Sequence, residues 1–230
     1  MISPLSNPPL FHLGPLPVTQ PVVATWGIML LLAGGGAMLT RRLQLIPGRT
    51  QAALELIVDT VDSQIRGTMR VEPGPYRAFI GTLFVFIFVA NWSSLLPGVE
   101  PPTAHLETDA ALAFLVFLAV IWFGVRAGGV RGYLASFAFP SPTMIPLNFI
   151  ETLTRTFSLL VRLFGNVMSG VFVIGIVLSL AGLLIPIPLM ALDLLTGAVQ
   201  AYIFAVLAMV FIAGAVAEAK PETPSTKASP

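Results

Sequence analysis

The chain has 230 residues, of which 56% are hydrophobic and only 10% charged, and its mean hydropathy is +0.89. An average soluble protein carries about 25% charged residues, so 12 basic and 11 acidic side chains are too few to cover a soluble fold of this size, and the chain belongs in lipid. The lack of cysteine excludes a disulfide framework, thiolate chemistry and cysteine-ligated metal or iron–sulfur centres, and a net charge of +1 argues against a nucleic-acid footprint.

The uncharged stretches give the spans. Met1 to Thr40 carries no charge, but its first half is Pro-rich (Pro4, Pro8, Pro9, Pro15, Pro17, Pro21), which confines the first crossing to about residues 22–39. Arg41 and Arg42 follow that run instead of preceding it, so it predicts an anchor that stays and not a cleaved signal. Over 51–66, Leu54, Ile57, Val58, Val61 and Ile65 follow helical spacing while Glu55, Asp59, Asp62 and Arg66 take the other face. That pattern predicts an amphipathic helix lying on the membrane surface or against a partner. Further crossings are expected at about 78–96 and 110–125. Gly132–Ile150 contains Pro140, Pro142 and Pro146 and is expected to be a connection at the membrane surface. The last two crossings are expected at about 147–184 and 187–217, followed by a Pro-, Ser-, Thr- and Lys-rich segment, 218–230, expected to be a mobile tail.

Orientation follows from Lys and Arg. Arg41, Arg42, Arg49, Arg66, Arg70 and Arg77 lie between spans one and two, Arg126 and Arg131 follow span three, and Lys220 and Lys227 are in the tail. The Pro97–Asp109 loop has only Glu100, Glu107, Asp109 and His105. The positive-inside rule then predicts residues 1–21 outside the cell and 218–230 in the cytoplasm, with one membrane domain over 22–217. The expected fold is an all-α integral membrane protein of about five crossings plus one surface helix.

The last two crossings are too long. At 1.5 Å per residue, Leu147–Leu184 spans roughly 57 Å and Ile187–Ala217 roughly 46 Å, against roughly 30 Å of hydrocarbon. If continuous, each must tilt by about 50° or more. The short Ile185–Pro188 link makes them an antiparallel hairpin. The alternative is a surface helix to about Thr156 with an ordinary span after it.

Their polar residues are the candidate site. Glu151, Arg155, Ser158, Arg162, Asn166 and Ser169 fall within about 80° of one another on a helix of 100° per residue, and Asp193, Thr196 and Gln200 form a shorter stripe on the facing helix. Glu151 and Arg155, at i and i+4, also fit a structural ion pair. Asn166, Thr196 and Gln200 also fit simple interhelical bonding. Arg162 is eleven residues beyond Glu151, in an otherwise apolar run. An arginine at mid-helix costs about 2.5–3.5 kcal/mol even on the lenient insertion scale, and it cannot lose its proton. It is therefore a fixed positive charge for a carboxylate on this chain or another. Asp193 can titrate, which fits a relay as well as a structural counter-ion. Gly165, Ser169 and Gly170 would let another helix approach Arg162 closely. Gly34-Gly35-Gly36 sits mid-span and suits packing or a kink, and His12 and His105 are isolated and expected to face solvent. No phosphate-binding loop, nucleophile constellation or metal-ligand cluster appears in the sequence, so no cofactor is expected.

At Arg162-Leu163-Phe164-Gly165-Asn166 the chain resembles subunit a of the membrane (Fo) sector of rotary F-type ATP synthases. Phe11-His12-Leu13-Gly14, the Gln51/Glu55 surface helix, Pro146-Leu147 with Glu151, Ser158 to Asn166, and Gln200-Ala201-Tyr202-Ile203-Phe204 look like family features in order. The resemblance implies that Arg162 faces the carboxylates of a c-subunit ring and separates two ion half-channels, with Gln200 across from it and Asn166 lining the path. It also implies peripheral-stalk b subunits and an F1 sector as partners, protons or sodium as cargo, no catalytic site on this chain, and the plasma membrane of a bacterium or archaeon as its location. Two positions depart from the common bacterial pattern: Val171 stands where an acid is usual and Asp193 where a histidine is usual. In this the chain looks more like the divergent N-type branch, some members of which are associated with sodium. Competing readings are a stand-alone secondary transporter or channel, which should show internal repeats that the sequence lacks, and a scaffold whose charges serve assembly alone.

Overall fold

The structure is a computed structural model and describes residues 11–13, 16–41, 48–95, 101–137, 142–182 and 185–219. Two three-residue strands, β1 (Phe11–Leu13) and β2 (Leu16–Val18), pair antiparallel with Phe11 opposite Val18. Six helices follow: α1 (Gln20–Thr40), α2 (Arg49–Met69), α3 (Gly74–Trp92), α4 (Leu106–Phe137), α5 (Ile145–Ala181) and α6 (Pro186–Ala219). All except α2 are long and apolar enough to cross a membrane. Apart from the small hairpin, the described fold is the all-α membrane architecture that the charge spacing predicts. The tail beyond Ala219 lies outside the described residues.

Prolines that looked like breaks mark helix starts. Pro21, Pro146, Pro186 and Pro188 all sit in the first turn of a helix, where the missing N–H had no intrahelical acceptor. The expected surface connection Gly132–Ile150 is therefore corrected at both ends: residues 132–137 complete α4, and α5 begins at Ile145 behind the 3-10 turn Pro142–Met144. The helix that carries the expected third crossing (about 110–125) breaks at Gly129 (φ 73°, ψ 167°), a conformation open essentially to glycine alone, and a second helical segment runs on to Phe137. Beyond the kink Tyr133 folds back so that a Cβ on Gly124 would lie 2.6 Å from its ring.

α6 is the centre, packing against α4, α3 and α5. Its buried face is dominated by small residues (Gly197, Ala201, Ala205, Ala208, Ala215, Ala219), which lets three helices approach it closely. Backbone comes closest to it at Gly128 of α4, where a Cβ would overlap the carbonyl oxygen of Ala219. Gly128→Ala should therefore cost about 1–3 kcal/mol through overpacking, read as a lower Tm of the assembled complex; an unchanged Tm would contradict this packing.

α2 is only half used. Val61, Ile65 and Met69 are buried, whereas Ile57 and Val58 are exposed and Leu54 is half-buried. Asp62, expected on the polar face, is buried as well, because it pairs with α3: its Oδ1 accepts from Arg77 Nε at 2.6 Å and its Oδ2 from Arg77 Nη2. The guanidinium holds the Asp62 carboxyl below its ordinary value of 3.8. A depressed folded-state value means that the link is fully present above that ordinary value and is lost as pH falls through the lower one. We expect amide exchange in α2 to rise as pH drops below 3.8, and Asp62→Asn to show the same loosening at neutral pH.

α5 has 37 residues and α6 has 34, or roughly 56 and 51 Å at 1.5 Å per residue. α5 runs on as one helix from Ile145, so the alternative of a separate surface helix before Thr156 falls away.

Candidate functional site

The two faces of α5 differ in kind. Leu159, Leu163 and Val167, at i, i+4 and i+8, are buried against the rest of the chain. Glu151, Arg155, Ser158, Arg162 and Ser169 are exposed on the other side, and Asn166 is half-buried at its edge. The polar stripe thus points out of the bundle. Its end nearer the start of α5 is paired within the chain: Arg155 donates to Glu151, and its guanidinium lies 5.7 Å from the centre of the Phe211 ring on α6. Ser169 Oγ donates to its own helix at the Asn166 carbonyl, 2.9 Å away. Arg162 is different. Among the described residues no carboxylate comes within ion-pair distance of it and no hydrogen bond holds it. An outward guanidinium at mid-helix in a membrane protein requires a partner outside the chain or water.

Two recesses flank it. The larger, 740 Å³, opens between the start of α5 and the end of α6 and is lined by Glu151, Arg155, Tyr133, Phe211 and Glu218, reaching α5 residues 148–156. The smaller, 180 Å³, lies at the opposite end of the hairpin and is lined by Asp193, Val171, Gly175, Ser94, Pro101 and Met190. Arg162 falls between them along α5, roughly 9 Å past one and 14 Å short of the other at 1.5 Å per residue.

On α6, Asp193 is half-buried and packs on the bare backbone of Gly170, where a Cβ would overlap its Oδ1. Val171 and Asp193 line the same recess, so the acid on α6 occupies the space beside the position where an acid on α5 was missed. Thr196 spends its hydroxyl on the Asp193 carbonyl at 3.0 Å. The contacts of Gly170 with Asp193 and of Arg155 with Phe211 fix the antiparallel register and set Gln200 within about one turn of Arg162. Gln200 is buried, its Nε2 lacks an acceptor, and among the described residues no hydrogen bond joins it to Arg162.

The sequence reading passed over a buried polar group behind these helices. Asn91 Nδ2 donates to the Gly197 carbonyl at 2.8 Å, and Asn91 Oδ1 accepts from Thr103 Oγ1 at 2.6 Å. Thr103, His105 and Asp109 are buried too, which corrects the expectation that His105 faces solvent and that Asp109 belongs to an acidic loop. Asn91, a lone amide inside the uncharged run 78–99, was the available signal.

The family model described as ATP synthase A chain matches residues 22–213, nearly the whole membrane region. The chain belongs to that family. Subunit a 2 of ATP synthase from Bradyrhizobium sp. strain BTAi1 is 57% identical over 93% of this chain and 96% of its own length. The corresponding subunit a 1 from Chlorobaculum parvum is 48% identical over 90% and 92%, and that from Hahella chejuensis is 42% identical over 98% and 95%. As an ATP synthase A chain family member with five apolar helices of spanning length, the protein is a multi-pass membrane subunit of the synthase and not its catalytic one.

Proposed function

We propose that the chain is the stator subunit that carries ions to and from the carboxylates of a c-subunit ring, with Arg162 separating two half-channels, so that proton or sodium flow is coupled to ATP synthesis or hydrolysis. The observation that carries this reading is the placement of Arg162: outward, unpaired within the described chain, and between two recesses at opposite ends of one hairpin. Each ring carboxylate meets Arg162 and releases its ion there, because the fixed cation favours the charged form of a nearby acid. The same cation repels an ion passing directly from one recess to the other. The large recess with Glu151 and Arg155, leading to Ser158 further along the stripe, serves as the cytoplasmic half-channel. The small one with Asp193, beside Thr196 and Ser169, serves the outer side, and Asn166 and Gln200 line the approach to Arg162.

The exposed apolar surface of α5 and α6 (Phe157, Val161, Leu195 and Val199 among others) suits a ring of helices sliding past. Peripheral-stalk b subunits and, through them, the F1 sector complete the assembly. The N-terminus lies outside a bacterial plasma membrane, residues 22–217 form its single membrane domain, and the C-terminus lies in the cytoplasm. The charge asymmetry supports that orientation.

Vesicles separate this reading from a stand-alone transporter. ATP-driven ion uptake should need the whole complex, and this chain reconstituted alone should pass no ions; flux through the isolated chain would overturn the proposal. Running the same uptake with and without sodium decides the ion.

A further inference from the structure

Asp109 has no part in the path described above, and Gln200, which lines it, keeps a buried donor without a partner among the described residues. Asp109, in the first turn of α4, is fully buried, and among the described residues neither of its carboxylate oxygens is hydrogen-bonded. Gln200 Nε2, on α6, is a buried donor without an acceptor. More than nine in ten buried polar groups in folded proteins have a partner, so two orphans in one small bundle require a reason. They are complementary: one can only accept when charged, the other can only donate.

They also stand at the same level. α4 and α6 run parallel, and two contacts fix their register. A Cβ on Gly124 would lie 3.4 Å from the Cβ of Ala215, and a Cβ on Gly128 would meet the backbone of Ala219; the offsets, 215 − 124 and 219 − 128, are both 91 positions. Carried along the pair, the buried row Asp109, Ala113, Val116 and Val120 of α4 matches the buried row Gln200, Phe204, Ala208 and Ile212 of α6 to within one residue. Gln200 is in turn within a turn of the level of Arg162 on α5. His105, one turn ahead of Asp109, is the other buried titratable group on this segment; its carbonyl accepts the Asp109 backbone N–H at 3.3 Å.

We propose that Asp109 is a positioning residue for ion translocation: its carboxyl group takes the Gln200 Nε2–H, directly or through one water, and so turns the amide to present its Oε1 to Arg162. An amide has two unlike ends. With the NH2 toward the guanidinium, two donors face each other and nothing is held; with the oxygen toward it, Arg162 gains an acceptor that keeps it at the ring-facing edge of α5. An acceptor behind the amide selects the second orientation. This inference rests on the reading of Arg162 as the stator cation.

The test is ATP-driven ion uptake into vesicles carrying the intact complex. In Asp109→Leu an apolar side chain of similar size fills the space of a buried carboxyl that has no partner among the described residues, removing the cost of burying it, so the complex should keep its full set of subunits. Uptake should fall about ten-fold, in the range of coupled neighbours, with soluble-sector ATP hydrolysis unchanged. In a Gln200→Leu background the same Asp109→Leu change should cost nothing further, because the residue acts through the amide. A purely structural role would give additive losses. The inference is overturned by wild-type uptake in Asp109→Leu, by additive losses, or by failure of both Asp109→Leu and Asp109→Asn to assemble, which would assign Asp109 to folding. Arg162→Ala in the same vesicles keeps the two readings apart. Normal pumping there removes the stator reading itself, whereas a silent Arg162→Ala beside a normal Asp109→Leu removes only this inference.

Discussion

Arg162→Ala should abolish ATP-coupled ion transport while ATP hydrolysis by the soluble sector persists. The reason is electrostatic. Among the described residues the guanidinium has no partner within the chain, so removing it breaks no internal ion pair and should leave the bundle folded. Folding is if anything relieved, since an arginine at mid-helix costs about 2.5–3.5 kcal/mol in lipid. On the stator reading the loss should fall on function alone: a ring carboxylate arriving at α5 would meet no cation and keep its ion, and no positive barrier would separate the two recesses. Arg162→Lys should not rescue, because a strongly hydrated ammonium lacks the fixed charge and planar donor fork of guanidinium. Normal coupled uptake in Arg162→Ala, with the complex intact, would remove the stator mechanism.

Asp193→Leu should lower coupled uptake about 100-fold, the low end of what a positioned proton-transfer group contributes. Asp193 is the acid in the smaller recess, and Val171 beside it supplies none. With Asp193 removed, that recess keeps Ser94 but has no carboxylate among its lining residues. Gly170→Val is the companion measurement: its side chain would enter the space of the Asp193 carboxylate, so uptake should fall in the same direction although the acid is retained. Equal uptake in wild type and Asp193→Leu would assign the residue to assembly, the scaffold reading, and would leave the outer half-channel to the Asn91 and Thr103 group.

The pair of recesses has a consequence for direction. They open at opposite ends of a single antiparallel hairpin, so on the stator reading proposed above an ion entering one would reach the other only by moving with the ring. Selectivity should therefore rest mainly on the ring, and exchanging the c subunit should change sodium dependence more than any substitution on α5.

Sequence by itself determined the class of protein, because a chain with 10% charge has no soluble surface to offer. It determined the five crossings and the excessive length of the last two, since a charge within an apolar run is costly wherever the run is placed. Arg162 was legible for the same reason. What only tertiary structure decided were the relations between helices. Proline cannot say from sequence whether it ends a helix or begins one, so Pro146 was taken for a connection and proved to start α5. Spacing cannot say which polar residue a neighbouring helix will cover: Asp62 is buried because Arg77 of α3 reaches it, and Asp109 because α4 lies in register on α6. The recess shared by Val171 and Asp193 depends on the close approach at Gly170, where the Asp193 carboxylate lies against bare backbone, as the seating of α4 on α6 depends on Gly128, where the Ala219 backbone does. Local periodicity fixes which side chains share a face; only packing fixes what that face meets.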